Sequence, residues 1–442
     1  MNILYIGLNL FFLFCYILLN ILNLGKGSDG IIFILMFFLL SGIYLFFKML
    51  NNKIKISYNI FIIFIIAIWI TIRVTIDMNN TYFLSQILIG STGGILFFLF
   101  IGIGVATITN KVLAESIKGT RIYINASLII LVTALISNLY LSISFIPGLR
   151  DDIFLLLDPS INYQRPGNFM SIFFIITSIF FTITISSNMK ICSIKGLFFI
   201  LLYFSSLILS LLNSQMIGSN NAFVVIFLVG MSTIFITFLL LFKSSRLALY
   251  TTQSNIILNK NVLRNIVFTL VLIFLILIVL LLLVVLTFNI DLTSSRILGF
   301  GSNTNSSLAS RYAIIIDNIS IHLRDSPIIG NINIDRETTG IGTYVHSFLL
   351  YAWTHTGLIG LFLFLILFFN LFQSFIHRAN GNLFTYEFAR ERYFHISQLL
   401  ILLFVFLIAN IGTTIDWAVL WFTVGLVGNL CYVSHTTSFN KK

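Results

Sequence analysis

Between Asn289 and Val345 the chain carries Arg296, Arg311, Arg324 and Arg336, interleaved with Asp317, Asp325, Asp335, Glu337 and His322, and it ends against His346. An arginine presents a planar fork of donors that suits phosphate and pyrophosphate. A histidine can take a proton from a hydroxyl or hold that hydroxyl in place. Arg311 therefore reads as a ligand for substrate phosphate, or as the ion-pair partner of Asp317 or Asp325. Arg165, in the stretch Asn162 to Phe169 (NYQRPGNF), reads as a second phosphate ligand or as an interfacial arginine that snorkels. Arg296 and Arg324 are either further anion ligands or solvated loop charges. His346 stands where a polar stretch meets an apolar run. It is read as a general base or acceptor-positioning group, or else as an interfacial histidine with a backbone partner.

Other ionisable residues point less directly to chemistry. Arg73 and Asp77 are four apart, the spacing of a helical ion pair, with Arg73 expected to snorkel. His355 lies nine residues past His346, about half a turn round a helix, and is expected to be structural. His322 is a lesser candidate. Cys15, Cys192 and Cys431 are far apart and lack metal-ligand spacing. No His, Cys and carboxylate cluster suits a metal, and no glycine-rich nucleotide loop occurs, so neither metal nor cofactor is expected.

The elements that must position these residues are almost all apolar. Charged residues make up 9% of the 442, against about 25% in soluble domains, so the chain reads as a multi-pass membrane protein. Apolar windows of roughly 20 residues fall at about 2–22, 31–50, 57–76, 82–108, 122–146, 169–187, 196–213, 221–242, 266–288, 346–373, 396–414 and 416–434. The expected fold is an all-helical bundle of about 12 spans, forming one polytopic domain over residues 1–442. The first window has no basic n-region or cleavage site and reads as an uncleaved span. A smaller external loop is expected at 147–168 and a large one at 289–345. Within the large loop a helix is expected from about Ser307 to Arg324, with Pro327 beyond its end.

Net charge +11 might suggest nucleic acid, but the placement of the charges argues otherwise. With the N-terminus inside, 17 of the 25 basic residues and 3 of the 14 acidic ones fall in inside segments. That bias puts both termini in the cytoplasm and both large loops outside.

Several segments resemble, in order, the O-antigen polymerase and O-antigen ligase superfamily. Arg311-Tyr312, followed by the stretch to Ser326-Pro327-Ile328-Ile329-Gly330, is similar to its arginine, fifteen-residue, hPhhG pattern. Gly340-Ile341-Gly342, then His346-Ser347-Phe348-Leu349, then Gly357-Leu358-Ile359-Gly360 look like its G-x-G, HN-x-x-L and G-hh-G segments. Arg165-Pro166-Gly167-Asn168-Phe169 is similar to its arginine-glycine segment in an earlier external loop. Ser347 departs from the usual Asn, and Ser219-Asn220-Asn221 stands where many relatives have Ser-Arg. The resemblance spans roughly residues 160–360.

The resemblance implies a bundle related to GT-C membrane glycosyltransferases and an enzyme of the bacterial inner membrane. Its partners would be membrane lipids, an oligosaccharide on undecaprenyl pyrophosphate, and a chain-length regulator. Arg311, Arg165 and Arg296 would hold the pyrophosphate, and His346 would serve the acceptor hydroxyl. Pyrophosphate leaves well enough that no nucleotide or obligatory metal is implied. Polymerisation of repeat units is the preferred activity, because polymerase sequences are extremely divergent and this one departs at two motif positions. Transfer of finished polymer to lipid A–core is the alternative. A lipid-linked glycan flippase would call for internal repeats and mid-membrane charges, and neither is evident.

Overall fold

The computed structural model describes residues 3–22, 30–50, 54–77, 92–117, 121–145, 164–186, 194–217, 219–250, 316, 319–332, 347–380, 386–428 and 431–433. Apolar chain in lipid must satisfy its own backbone, which leaves the helix as the local solution. In chain order the helices are α1 (Ile3–Leu22), α2 (Ile31–Leu50), α3 (Tyr58–Asp77), α4 (Gly93–Ile117), α5 (Arg121–Phe145) and α6 (Gln164–Ser186). They continue with α7 (Ile194–Met216), α8 (Asn220–Tyr250), α9 (Phe348–Asn380), α10 (Tyr386–Gly412) and α11 (Ala418–Val427). Each overlaps an apolar window of the sequence; the window at 266–288 lies outside the described residues. Nine helices among the described residues are long and apolar enough to cross a membrane. The chain is a multi-pass helical membrane protein.

α6 is the axis of the bundle. It is packed by α1, α4, α5, α7, α8, α10 and α11, and every residue from Phe169 to Ile185 is buried. Its hydroxyls turn back on their own helix, Thr177 to the Phe173 carbonyl and Thr184 to the Phe180 carbonyl, both at 2.9 Å. A helix so enclosed meets protein on all sides, whereas the Phe-rich faces of α2 and α3 remain exposed, as lipid-facing surfaces do. Between α5 and α7 the glue is polar. Asn138 accepts from Ser210 at 3.0 Å, and Asn213 donates to the Asn138 carbonyl at 3.0 Å.

α11 corrects the expected last span. The window suggested a helix over 416–434, but helix covers only Ala418–Val427, all of it buried. At 1.5 Å per residue it is about half the thickness of a hydrocarbon core. Cys431–Val433 instead forms a short strand, β2, antiparallel to β1 (Ile54–Ile56), with Lys55 opposite Tyr432. β-branched and aromatic residues favour that pairing over more helix.

Candidate functional site at the loop end of the bundle

α6 begins at Gln164, five residues before the expected start of the span, so Arg165 sits in its first turn rather than in a loop. Pro166 is tolerated there because first-turn N–H groups have no acceptor within the helix. The Arg165 side chain is exposed, and its Nη2 donates to Asn20 Oδ1 at 2.8 Å, at the end of α1. Asn20 is itself held by donating to the Tyr16 carbonyl at 2.8 Å. The guanidinium is therefore steered by neutral groups, the Asn20 amide and the Tyr16 hydroxyl, and no carboxylate neutralises it among the hydrogen bonds described.

Gly167 explains the close seating of this turn. A Cβ there would lie 2.2 Å from Ser219 Oγ, so only glycine lets α6 approach the start of α8. Asn168 Oδ1 accepts from Trp417 Nε1 at 2.8 Å, which ties the same turn to the entry of α11. Asn221 reaches the Gly412 carbonyl at 3.4 Å, and Asn410 Oδ1 accepts from the Leu349 N–H at 3.1 Å. Asn410 thus caps the first turn of α9 from a neighbouring helix, satisfying one of that turn's free donors. The ends of α1, α6, α8, α9, α10 and α11 that the charge bias assigns to the outside lie together at one end of the bundle.

α9 is the other half of the site, and it is broken. Gly357 has φ 70° and ψ −174°, which interrupts what reads in sequence as one continuous span. Only glycine adopts that conformation readily. The backbone groups freed by the break are taken up by the loop segment beside it. Thr354 O accepts from Asn331 N at 2.9 Å, Leu358 N donates to Pro327 O at 3.2 Å, and Ile359 N donates to Ile328 O at 3.4 Å. Thr356 O is satisfied by the indole Nε1 of Trp69 on α3, at 2.9 Å. Irregular backbone within an apolar span persists only where protein supplies these partners.

The loop segment is short-helical over 319–325 and then turns through Pro327 to Gly330. The Ser326 N–H bonds to the His322 carbonyl at 3.0 Å and the Gly330 N–H to the Ser326 carbonyl at 3.0 Å. Leu323 is exposed on one side of the short helix while His322 is fully buried on the other, edge-on to Trp353 with ring centroids 5.2 Å apart. Ser326 Oγ and Trp353 Nε1 are buried without a hydrogen-bond partner among the described residues, and the only backbone group facing the His322 ring there is that of Pro327, too poorly aligned for a regular hydrogen bond. Burial pushes the His322 pKa below its ordinary 6.5, and the neighbouring His355 adds to the effect. Arg324 and Asp325 form an exposed pair at 2.7 Å, which raises the pKa of the arginine and lowers that of the aspartate. Such a surface pair adds little stability, and Arg324 is a solvated loop charge.

Arg73 pairs with Asp77 as its spacing suggested, but it does not snorkel: its side chain is 4% exposed. Besides meeting Asp77, its Nη2 donates to the Gly330 carbonyl at 2.9 Å, while Asp77 Oδ2 accepts from the Ile332 N–H at 2.9 Å. A buried arginine is held there by a carboxylate and a carbonyl instead of by water. His355 stacks on Tyr351, with ring centroids 3.6 Å apart, and its Nδ1 lies 3.1 Å from the Tyr351 carbonyl. That is the structural role expected of it.

Of the residues singled out in the sequence, Arg165 lies at the loop end of α6 beside Asn20, and Pro327–Gly330 and Gly357–Gly360 meet each other at the break of α9. Arg296, Arg311, Arg336 and His346 lie outside the described residues, as does the Gly340–Gly342 stretch; the described chain resumes at Ser347, which is buried at the start of α9. Sequence reasoning missed Trp69, Asn20, Asn410 and Trp417, each an ordinary residue of an apolar run. The signal for the break was present in Gly357 and Gly360 inside a span. No potential metal cluster of three His, Cys, Asp or Glu residues occurs among the described residues. Compared with known proteins, the chain matches no family model, no curated protein and no solved structure.

Proposed function

We propose that this protein is a glycosyltransferase that polymerises lipid-linked oligosaccharide repeat units on the external face of a bacterial inner membrane, with both termini in the cytoplasm. The donor is an oligosaccharide on undecaprenyl pyrophosphate, and the acceptor is a hydroxyl of a second lipid-linked unit. The product serves O-antigen or a related surface polysaccharide. The observation that carries this reading is the meeting of the Pro327–Gly330 turn with Gly357–Gly360, two segments that resemble the polymerase and ligase superfamily. In sequence they are separate patterns, and here their backbones bond to each other. A bundle of the GT-C kind is the architecture that goes with it.

Arg165 supports the same reading. It is an exposed guanidinium in the first turn of α6, where free N–H groups and the helix dipole also favour an anion. In the proposed reaction the anomeric C–O bond to pyrophosphate breaks as a C–O bond to the acceptor hydroxyl forms. Arg165 and Arg311 take the charge that develops on the departing pyrophosphate, with Arg296 as a further ligand. His346 receives or directs the proton of the acceptor hydroxyl. The loop over the site keeps out water, which would otherwise compete as acceptor. A chain-length regulator is the expected protein partner.

The surface glycan of a deletion strain tests this directly. Core carrying a single repeat unit is the expected result. Bare core with polymer left on the lipid carrier would instead identify the ligase that joins polymer to lipid A–core, and an unchanged glycan would overturn both.

A further inference from the structure

The loop end of α3 has no place in the proposed chemistry, yet it is built into the junction. α3 packs chiefly on α9 among the described helices, and three of its side chains within nine positions reach the broken region. Trp69 satisfies Thr356, Arg73 reaches Gly330, and Asp77 reaches Ile332. Arg73 and Asp77 are both largely buried, with side chains 4% and 13% exposed. A buried ion pair is a poor source of net stability, because desolvation offsets its attraction. This pair, however, offers one donor and one acceptor to consecutive parts of another segment's backbone, which orients that segment as well as holding it.

We infer that Arg73 and Asp77 are positioning residues that hold the Pro327–Ile332 segment in the break of α9. The atoms make a specific demand. One nitrogen, Arg73 Nη2, serves both Asp77 and the Gly330 carbonyl. A lysine ammonium, with its three donors on one nitrogen, can do the same. Asp77 uses both oxygens as acceptors, Oδ1 for Arg73 and Oδ2 for the Ile332 N–H. An asparagine has one oxygen and one NH2 group, so it must turn a donor toward a donor on one side. At position 77, therefore, the isosteric change is the damaging one, and at position 73 the conservative change is tolerated.

This inference rests on the proposed function only for what the loop positions; docking of the loop can be measured without any substrate. Ser326 makes a close reporter, because its Oγ is buried in the junction and cysteine differs from serine only at that atom. In Ser326→Cys protein with the native cysteines changed to serine, the rate of labelling by a membrane-impermeant maleimide reads undocking. Arg73→Ala and Asp77→Asn are expected to label faster by roughly ten- to a hundredfold, the effect of losing a charge-assisted hydrogen bond. Arg73→Lys is expected to stay near the parent rate. Parent-like labelling in both Arg73→Ala and Asp77→Asn would overturn the inference, as would Arg73→Lys behaving like Arg73→Ala. A second reporter cysteine on the exposed face, at Leu323, should label at one rate in all four proteins; a general rise there would mean misfolding and would count against a positioning role. Transfer of lipid-linked units is a separate assay, and its failure in every protein would bear on the proposed function alone.

Discussion

A Cβ on Gly357 would lie 2.1 Å from the carbonyl oxygen of Ile328, so the loop backbone occupies the space a side chain would need. Gly330 faces the same restriction from the other side, 2.4 Å from the Gly357 nitrogen, and its φ is also positive at 77°. Gly357→Ala therefore meets two penalties at once. A backbone at φ 70° and ψ −174° is essentially confined to glycine and costs about 1–3 kcal/mol for a residue with a Cβ, and the overlap must push the loop away. Its unfolding midpoint in detergent should fall clearly. Gly42→Ala, where nothing lies within 4 Å of the added atom, should leave the midpoint near that of the parent.

The two tryptophans of the junction make a paired test. Trp69 Nε1 satisfies the carbonyl that the break exposes, whereas Trp353 Nε1 has no partner among the described residues. Leaving a buried acceptor unpaired costs about 1–3 kcal/mol. Trp69→Phe should thus be destabilising by that order and Trp353→Phe by less, since the latter removes an unsatisfied donor. Equal losses in chemical denaturation would contradict the role given to the Trp69 indole.

Acid should loosen the junction through His322. Its folded pKa lies below the ordinary 6.5 because burial disfavours the charged ring. A proton is then bound more readily once the residue is released, so the stability it contributes is present above 6.5 and is lost as pH falls through that value toward the folded pKa. Limited proteolysis of the loop should accelerate between pH 7.5 and roughly 5.5. In His322→Phe that acceleration should flatten. A wild-type rate that slows with acid would contradict the sign.

Much of this was legible in the sequence because hydrophobic length and charge bias are strong, local signals. The helices overlap the apolar windows, and the Arg73–Asp77 pair follows from a spacing of four. What the sequence hid was depth and partnership. Nothing in a one-dimensional pattern says that Arg73 bonds to a carbonyl 257 residues away, or that Asn410 caps α9. The break at Gly357 was masked because the polar Thr354-His355-Thr356 run before it is short and lies between apolar stretches that read equally well as one helix. α6 started early because the polar QRPGN run, counted as loop by hydropathy, still forms a first helical turn. In the same way α11 stopped short because CYV is as apolar as the helix it leaves.

Sidedness has its own test. The ends joined through Arg165–Asn20, Gly167–Ser219 and Leu349–Asn410 belong together, and the split of basic residues predicts that they face outside. A cysteine at Asn303 should react with an impermeant thiol reagent on intact cells, and one at Asn380 only after permeabilisation. The opposite pattern would move the site to the cytoplasm and remove a lipid-linked donor on the external face from consideration.

The last prediction concerns the groups proposed to do the chemistry. Arg165 is exposed in the first turn of α6, where it donates to Asn20 and faces the Tyr16 hydroxyl, two neutral partners that leave its charge available to an anion. If Arg165 and Arg311 grip one pyrophosphate, Arg311→Lys keeps the charge but loses the bidentate fork, and it should be impaired nearly as badly as Arg311→Ala. Each loss should be about 1.5–3 kcal/mol, roughly one to two orders of magnitude in rate. The double alanine variant should lose less than the sum of the two, because both act on the same departing group. His346→Ala should abolish polymer while protein remains in the membrane, whereas His355→Ala, which removes packing on Tyr351 and a contact with Thr354, should be much milder. The measurement is conversion of purified lipid-linked repeat units to longer products, normalised to membrane abundance. Full activity in Arg165→Ala and Arg311→Ala would remove the pyrophosphate clamp. Loss in only one of them would leave the other as an interfacial anchor.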